Sequence, residues 1–160
     1  MNQAKKLLAE GLQSGFAGGN IRKRVIRDGV EFETSTLSTS RGRYVDGWAA
    51  DVLGAGHEVA KTRNTTLTRV YAGGTIKPEE LLLLGISKKD VMRFLKQQIL
   101  ALGSRTRLDK SCGPVKDGQW KYFYKVTKRG RRIPVIIGEE TIWYKNRIVF
   151  VHYFLLCPVK

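Results

Sequence analysis

The sequence predicts an α+β fold: one domain over residues 1–160, with a mainly antiparallel sheet, an N-terminal helix and a central helix-turn-helix-like pair. Three observations carry the prediction. Strand-like runs fill two blocks and are broken by short turns, of which Asp28-Gly29 is the strongest hairpin signal. Helical spacing is confined to the start and the middle of the chain, giving the order of an α+β domain. A length of 160 residues with 42% hydrophobic content suits a single sizeable core.

The elements follow in order. Residues 3–13 put Leu7, Leu8 and Leu12 on one face of a short amphipathic helix, closed by the glycines at 11, 15, 18 and 19. Val25, Ile26, Val30, Phe32 and the Thr/Ser run 34–40 form strands on either side of Asp28-Gly29. Residues 44–48 and 66–71 give further strands, separated by glycine-containing turns, and Gly73-Gly74 closes this half. Pro78 suits a first helical position, and Glu79 and Glu80 suit the positive end of a helix dipole. Gly85 stops that helix. Ser87 and Asp90 form a capping-box pair opening the next, in which Val91, Phe94, Leu95, Ile99 and Leu102 share a face and Arg93, Lys96 and Gln97 point away. Gly103 ends it. Strands return from Gln119: residues 120–126, a turn at 129–131 into 133–137, then 141–144 and 148–156 as a hairpin turning at Lys145-Asn146. The last strand is apolar on both faces, interrupted only by His152, and is expected to lie central in the sheet.

Composition excludes several classes. No apolar run approaches the roughly 18 residues of a membrane span. The opening residues 1–8 turn polar at Glu10 without a small-residue cleavage site, unlike a signal peptide. Cys112 and Cys157 lack a CxxC spacing, and a zinc site would need nearly every Cys and His in the chain. Two free thiols in a reducing cytoplasm is the expectation, with no metal and no cofactor.

Catalytic constellations are sparse. His57-Glu58 are neighbours that a strand would send to opposite faces, and they read as a solvated loop pair. His152 reads as a hydrogen-bonded core histidine and Glu139-Glu140 as a polar turn before a strand. Gly15, Gly18 and Gly19 follow a helix rather than a strand, so they are not a dinucleotide fingerprint. Cys112 has Lys110 nearby but no His placed to act as its base. The chain reads as a non-enzyme.

Charge is the functional signal. The net charge of +15 is uneven: residues 1–80 hold 12 Lys+Arg against 9 Asp+Glu, and residues 81–160 hold 17 against 5. A fold gains nothing from such self-repulsion, whereas a polyanionic partner would. The expected nucleic-acid contacts run through residues 88–132. They are Lys88, Lys89, Arg93 and Lys96 on the helix, then Arg105 and Arg107. Lys121, Lys125 and Lys128 follow beside the aromatics 122–124, and Arg129, Arg131 and Arg132 occupy the turn. An acidic protein is the other partner this charge suits. The rival reading, from a different class, is a small-molecule or protein-sensing domain. Its pocket would lie between sheet and helix, with Tyr44, Asp46, Glu58, Tyr71, Glu140 and Tyr144 as polar lining.

Two resemblances bear on these readings. The run Glu80-Leu81-Leu82-Leu83-Leu84-Gly85-Ile86-Ser87-Lys88-Lys89-Asp90-Val91-Met92-Arg93-Phe94-Leu95 resembles the helix-turn-helix signature of bacterial regulators, in which a Leu-Gly-Ile-Ser turn leads into a recognition helix. That resemblance implies Lys88, Lys89, Met92 and Arg93 facing a groove, and favours DNA over RNA. Over nearly its full length the chain is also similar to an uncharacterised family of small bacterial domains found alone or appended to helix-turn-helix regulators. The matching pieces are Phe16-Ala17-Gly18-Gly19, Tyr44-Val45-Asp46, residues 53–59, Val70-Tyr71-Ala72-Gly73, Cys112-Gly113-Pro114 and residues 137–144 leading into 149–154. This similarity implies a compact α+β domain whose middle helix packs on the sheet, with a regulatory or sensing role.

Overall fold

Two turns with both central residues in the left-handed region set hairpins where the sequence asked for them. Asp28 and Gly29 have φ of 51° and 80°, and Lys145 and Asn146 have 47° and 65°. That is the type I′ geometry whose twist matches paired strands. The structure, a computed structural model, describes residues 2–19, 22–50 and 53–159. Around the turns stands a nine-stranded sheet: β1 (Arg22–Arg27), β2 (Val30–Thr39), β3 (Gly42–Ala50), β4 (Leu53–Thr62), β5 (Thr66–Thr75), β6 (Cys112–Asp117), β7 (Trp120–Arg129), β8 (Ile136–Tyr144) and β9 (Arg147–Val159). The spatial order is β1-β2-β3-β4-β5-β9-β8-β7-β6, with every neighbouring pair antiparallel. The β5–β9 ladder joins the two strand blocks into one sheet. The fold is a single α+β domain.

The helices are α1 (Gln3–Leu12), continued by a wider turn over Gln13–Ala17, α2 (Pro78–Leu83) and α3 (Lys88–Leu102). Pro78 opens α2, and the Ser87–Asp90 capping box opens α3 with both reciprocal bonds made. The face of α3 carrying Val91, Phe94, Leu95 and Ile99 buries against Tyr122, Tyr124, Ile142, Phe150 and Phe154. Ala4, Leu7 and Leu8 of α1 bury against Tyr44, Ala60, Leu67 and Leu156. Both helices therefore cover the same face of the sheet.

Six readings of the sequence change. Gly11 does not close α1; it lets the helix lie on the Tyr44 ring, where an added Cβ would sit 2.2 Å from ring carbons. The stretch with His57-Glu58 is strand β4 rather than a loop, and Gly73-Gly74 lie inside β5. Residues 112–117 form β6, a strand the sequence did not announce. Glu139-Glu140 sit mid-strand, because the two runs either side of them fuse into β8. β9 lies inside the sheet as expected, yet only one of its faces is covered: Phe154 is 1% exposed, whereas Tyr153 and Leu155 are 56% and 44%. Cys112 and Cys157 are both free. Among the described residues no helix is long and apolar enough to cross a membrane.

Candidate functional site

Under the helices lies a buried charge network that no local signal announced. Arg69 on β5 donates from Nε and Nη2 to the Glu58 carboxylate on β4 at 2.5 and 2.6 Å, and Tyr44 Oη donates to the same carboxylate at 2.9 Å. Arg69 Nη1 donates to the Arg107 carbonyl at 2.5 Å, tying the sheet to the segment after α3. Arg107 in turn grips Glu140 on β8 from Nε and Nη2 at 2.8 and 2.6 Å, and Tyr122 Oη donates to Glu140 at 2.6 Å. All four charged side chains are at most 3% exposed. Burial works against ionisation of Glu140, but the Arg107 guanidinium, with lesser help from the Tyr122 hydrogen bond, holds its carboxyl below the usual range. Each carboxylate is met by a two-pronged guanidinium, so the network fixes geometry and leaves neither acid unengaged.

Beside this network Tyr71 Oη donates to Asp46 Oδ1 at 3.2 Å. Burial, and then the charge on Glu58, push the Asp46 carboxyl up to about 8. Next to Tyr71, a cavity of about 110 Å³ separates α3 and the end of α1 from β4, β5 and β9. Of the six residues expected to line a pocket, five gather in this interior: Tyr44, Asp46, Glu58, Tyr71 and Glu140. Only Tyr71 touches the cavity itself. Tyr144 is elsewhere, its ring 4.6 Å from that of Trp120. The side chains that do form the cavity include Phe16, Trp48, Thr75 and His152, which no reading of the sequence placed in a site, and Met92, expected to face a nucleic-acid groove.

The expected nucleic-acid residues divide into separate groups. Arg107 is a correction: it is 3% exposed and committed to Glu140, out of reach of any phosphate. On α3, Lys88 and Met92 line the cavity, Lys89 is exposed, and Lys96 lies over the Phe16 ring at 5.3 Å. Arg93 Nη2 donates to Asp90 at 2.7 Å, and Arg93 shares a groove with Asp117 and Trp120 at the start of β7. Arg105 donates to the Ala101 carbonyl, capping the end of α3. Lys121 donates to Asn146, and Lys125 is exposed. Lys128, Arg129, Arg131 and Arg132 are exposed at the far end of β7 and in the following turn. A ten-residue strand spans roughly 30 Å. The helix and the turn therefore do not form one face.

Sheet register assembles a different group around that turn. Arg129 pairs with Ile136, which pairs with Leu156; Thr66 pairs with Val159 and with Lys61; Lys61 pairs with Arg43. The β2–β3, β4–β5 and β7–β8 turns consequently share one end of the sheet. Exposed Arg43, Lys61 and Arg63 join Lys128, Arg129, Arg131 and Arg132 there. Two carboxylates at this end, Glu10 and Asp109, are already paired with Arg41 and Lys5. Arg43, Lys61 and Arg63 fall in the weakly charged half of the sequence, and only the register reveals them.

No protein-family model, no curated protein and no solved structure matches this chain. The geometry alone carries the functional reading.

Proposed function

We propose that this domain binds nucleic acid, without catalysis, through the basic end of its sheet. One observation carries the reading: cations from three turns, far apart in sequence, converge on one rim while the carboxylates beside them are already paired. Such a rim offers separate side chains to successive phosphates, and phosphate contacts supply affinity without needing a helix in a groove. The residues in this role are Arg43, Lys61, Arg63, Lys128, Arg129, Arg131 and Arg132. Helix α3 takes no part, because its apolar face is committed to the sheet and Arg93 stands at the opposite end of β7.

Fluorescence anisotropy with a labelled DNA duplex over a salt series tests this, with duplex RNA as competitor. Each phosphate contact contributes about −0.9 to the slope of log K against log salt on B-form DNA. Replacing Arg129, Arg131 and Arg132 by Ala should flatten the slope by about two to three units. Adding Arg43→Ala and Arg63→Ala should flatten it by about two more, and Arg93→Ala should leave it unchanged. A folded protein that binds neither DNA nor RNA at low salt would refute the proposal and leave the rim as a docking surface for an acidic protein.

A further inference from the structure

Beneath α3, between it and strands β4, β5 and β9, lies the cavity beside Tyr71. Gly54 on β4 faces Gly73 on β5 in register, and both line the space. Met92 and Leu95 of α3 and Phe16 after α1 cover it. Its walls are rings: Phe16 meets Trp48 edge-on at 6.1 Å, Tyr71 lies 5.5 Å from His152, and Phe150 lies 4.5 Å from His152. Two polar atoms on lining residues, Thr75 Oγ1 and His152 Nδ1, are buried with no hydrogen-bond partner among the described residues. Folded proteins rarely leave such atoms unpaired, and each instance calls for a reason.

We infer that this cavity binds a small planar aromatic molecule carrying one hydrogen-bonding group. The inference is independent of nucleic-acid binding at the rim. A volume of about 110 Å³ is somewhat below the roughly 150 Å³ of an apolar cavity that holds benzene, so a single ring fits and an indole-sized molecule tests the upper limit. Aromatic walls favour an aromatic occupant through edge and offset contacts. Charge narrows the class. Among the described residues no carboxylate lines the cavity; of its two cations, the Arg107 guanidinium is engaged by Glu140 and Lys88 is only half-buried. Burial, and then the neighbouring Arg107 charge, push the His152 imidazole down to about 4 against the pull of Glu140, so the ring is neutral at physiological pH. An ammonium group would find no counter-charge. A hydroxyl or ring N–H would find Thr75 Oγ1, with the remainder of the molecule in apolar surroundings.

Phenol, indole, toluene and benzylamine are the probes, titrated into the intact protein by calorimetry and by thermal unfolding. Phenol should bind saturably at one site and raise Tm, indole and toluene should bind more weakly, and benzylamine should not bind. Thr75→Val should weaken phenol about tenfold and leave toluene unchanged, separating the polar contact from the slot. Met92→Trp should fill the space and abolish binding of both, with the circular dichroism spectrum confirming a folded chain. Absence of heat and of any Tm shift with phenol, indole and toluene at millimolar concentration overturns the site. Equal weakening of phenol and toluene by Thr75→Val overturns the hydrogen-bonding half of the assignment.

Discussion

Replacing Arg107 by Met separates a structural role from a surface one. The guanidinium makes two bonds to Glu140, which is 0% exposed. Methionine fills a similar volume and leaves that carboxylate with Tyr122 Oη and with His152 Nδ1 3.8 Å away. Removing one partner of a buried pair costs about 3–5 kcal/mol, because the other charge stays buried. At about 3 °C per kcal/mol for a domain of this size, Tm should fall by about 9–15 °C. The pH dependence carries the sign. In the variant, burial acts on Glu140 without Arg107 to oppose it, so its folded pKa rises above the ordinary 4.5. The folded variant then takes up a proton that the unfolded chain does not, and its stability deficit shrinks as pH falls from 7 towards 5. Urea unfolding of both proteins at the two pH values measures this, and the double variant Arg107→Met/Glu140→Gln should recover much of the loss. A deficit under about 1 kcal/mol at pH 7, or one equal at both pH values, refutes the argument. In either outcome the salt slope of nucleic-acid binding should stay unchanged.

Two more outcomes test the interior. The Asp46 carboxyl is pushed from 3.8 up to about 8 by burial and by Glu58, so the folded state holds a proton that the unfolded chain has lost between those values. Its contribution therefore declines as pH rises from about 4 towards 8, by at most about 1.4 kcal/mol per pH unit. Asp46→Asn should flatten the curve of urea midpoint against pH over 5–8, and parallel curves would show the group is not responsible. Gly11→Ala gains about 1 kcal/mol of helix propensity but drives a Cβ to 2.2 Å from the Tyr44 ring. A net loss of about 1–3 kcal/mol should appear in thermal unfolding, and a stabilised variant would mean α1 stands further from the sheet.

What the sequence disclosed was local. Asp28-Gly29 and Lys145-Asn146 make their turns from two residues each, and Ser87 with Asp90 makes its cap within one helical turn. The buried face of α3 follows from spacing within one element. β4 was hidden because its inward positions are Gly54, Gly56 and Glu58, residue types that read as loop. Glu58 becomes an interior residue only through Arg69 across the β4–β5 ladder and Tyr44 across β3–β4. Glu140 was misread as a turn for the same reason, since Arg107 lies 33 residues away along the chain. A buried ion pair and a solvated one use the same letters, and only the partner's position distinguishes them.

The two functional signals fared differently for a related reason. Tyr44, Asp46, Glu58, Tyr71 and Glu140, expected as the polar lining of a pocket, lie together under the helices, because a strand sends alternate residues to the same side. Yet those residues satisfy one another or Arg69 and Arg107, and the open space lies beside them, marked by glycines and by the unpaired Thr75 and His152. Charge density along the chain likewise pointed to 88–132, and folding split that stretch. The α3 residue Arg93 went to one end of β7, Arg107 to the interior and Arg129 to the other end, where Arg43, Lys61 and Arg63 arrive from the opposite half. In an antiparallel meander, residues near alternate turns meet at one end of the sheet whatever their separation in sequence. A surface built this way is therefore read from the register of the strands, and a linear run of charge marks only the part of it that one turn contributes.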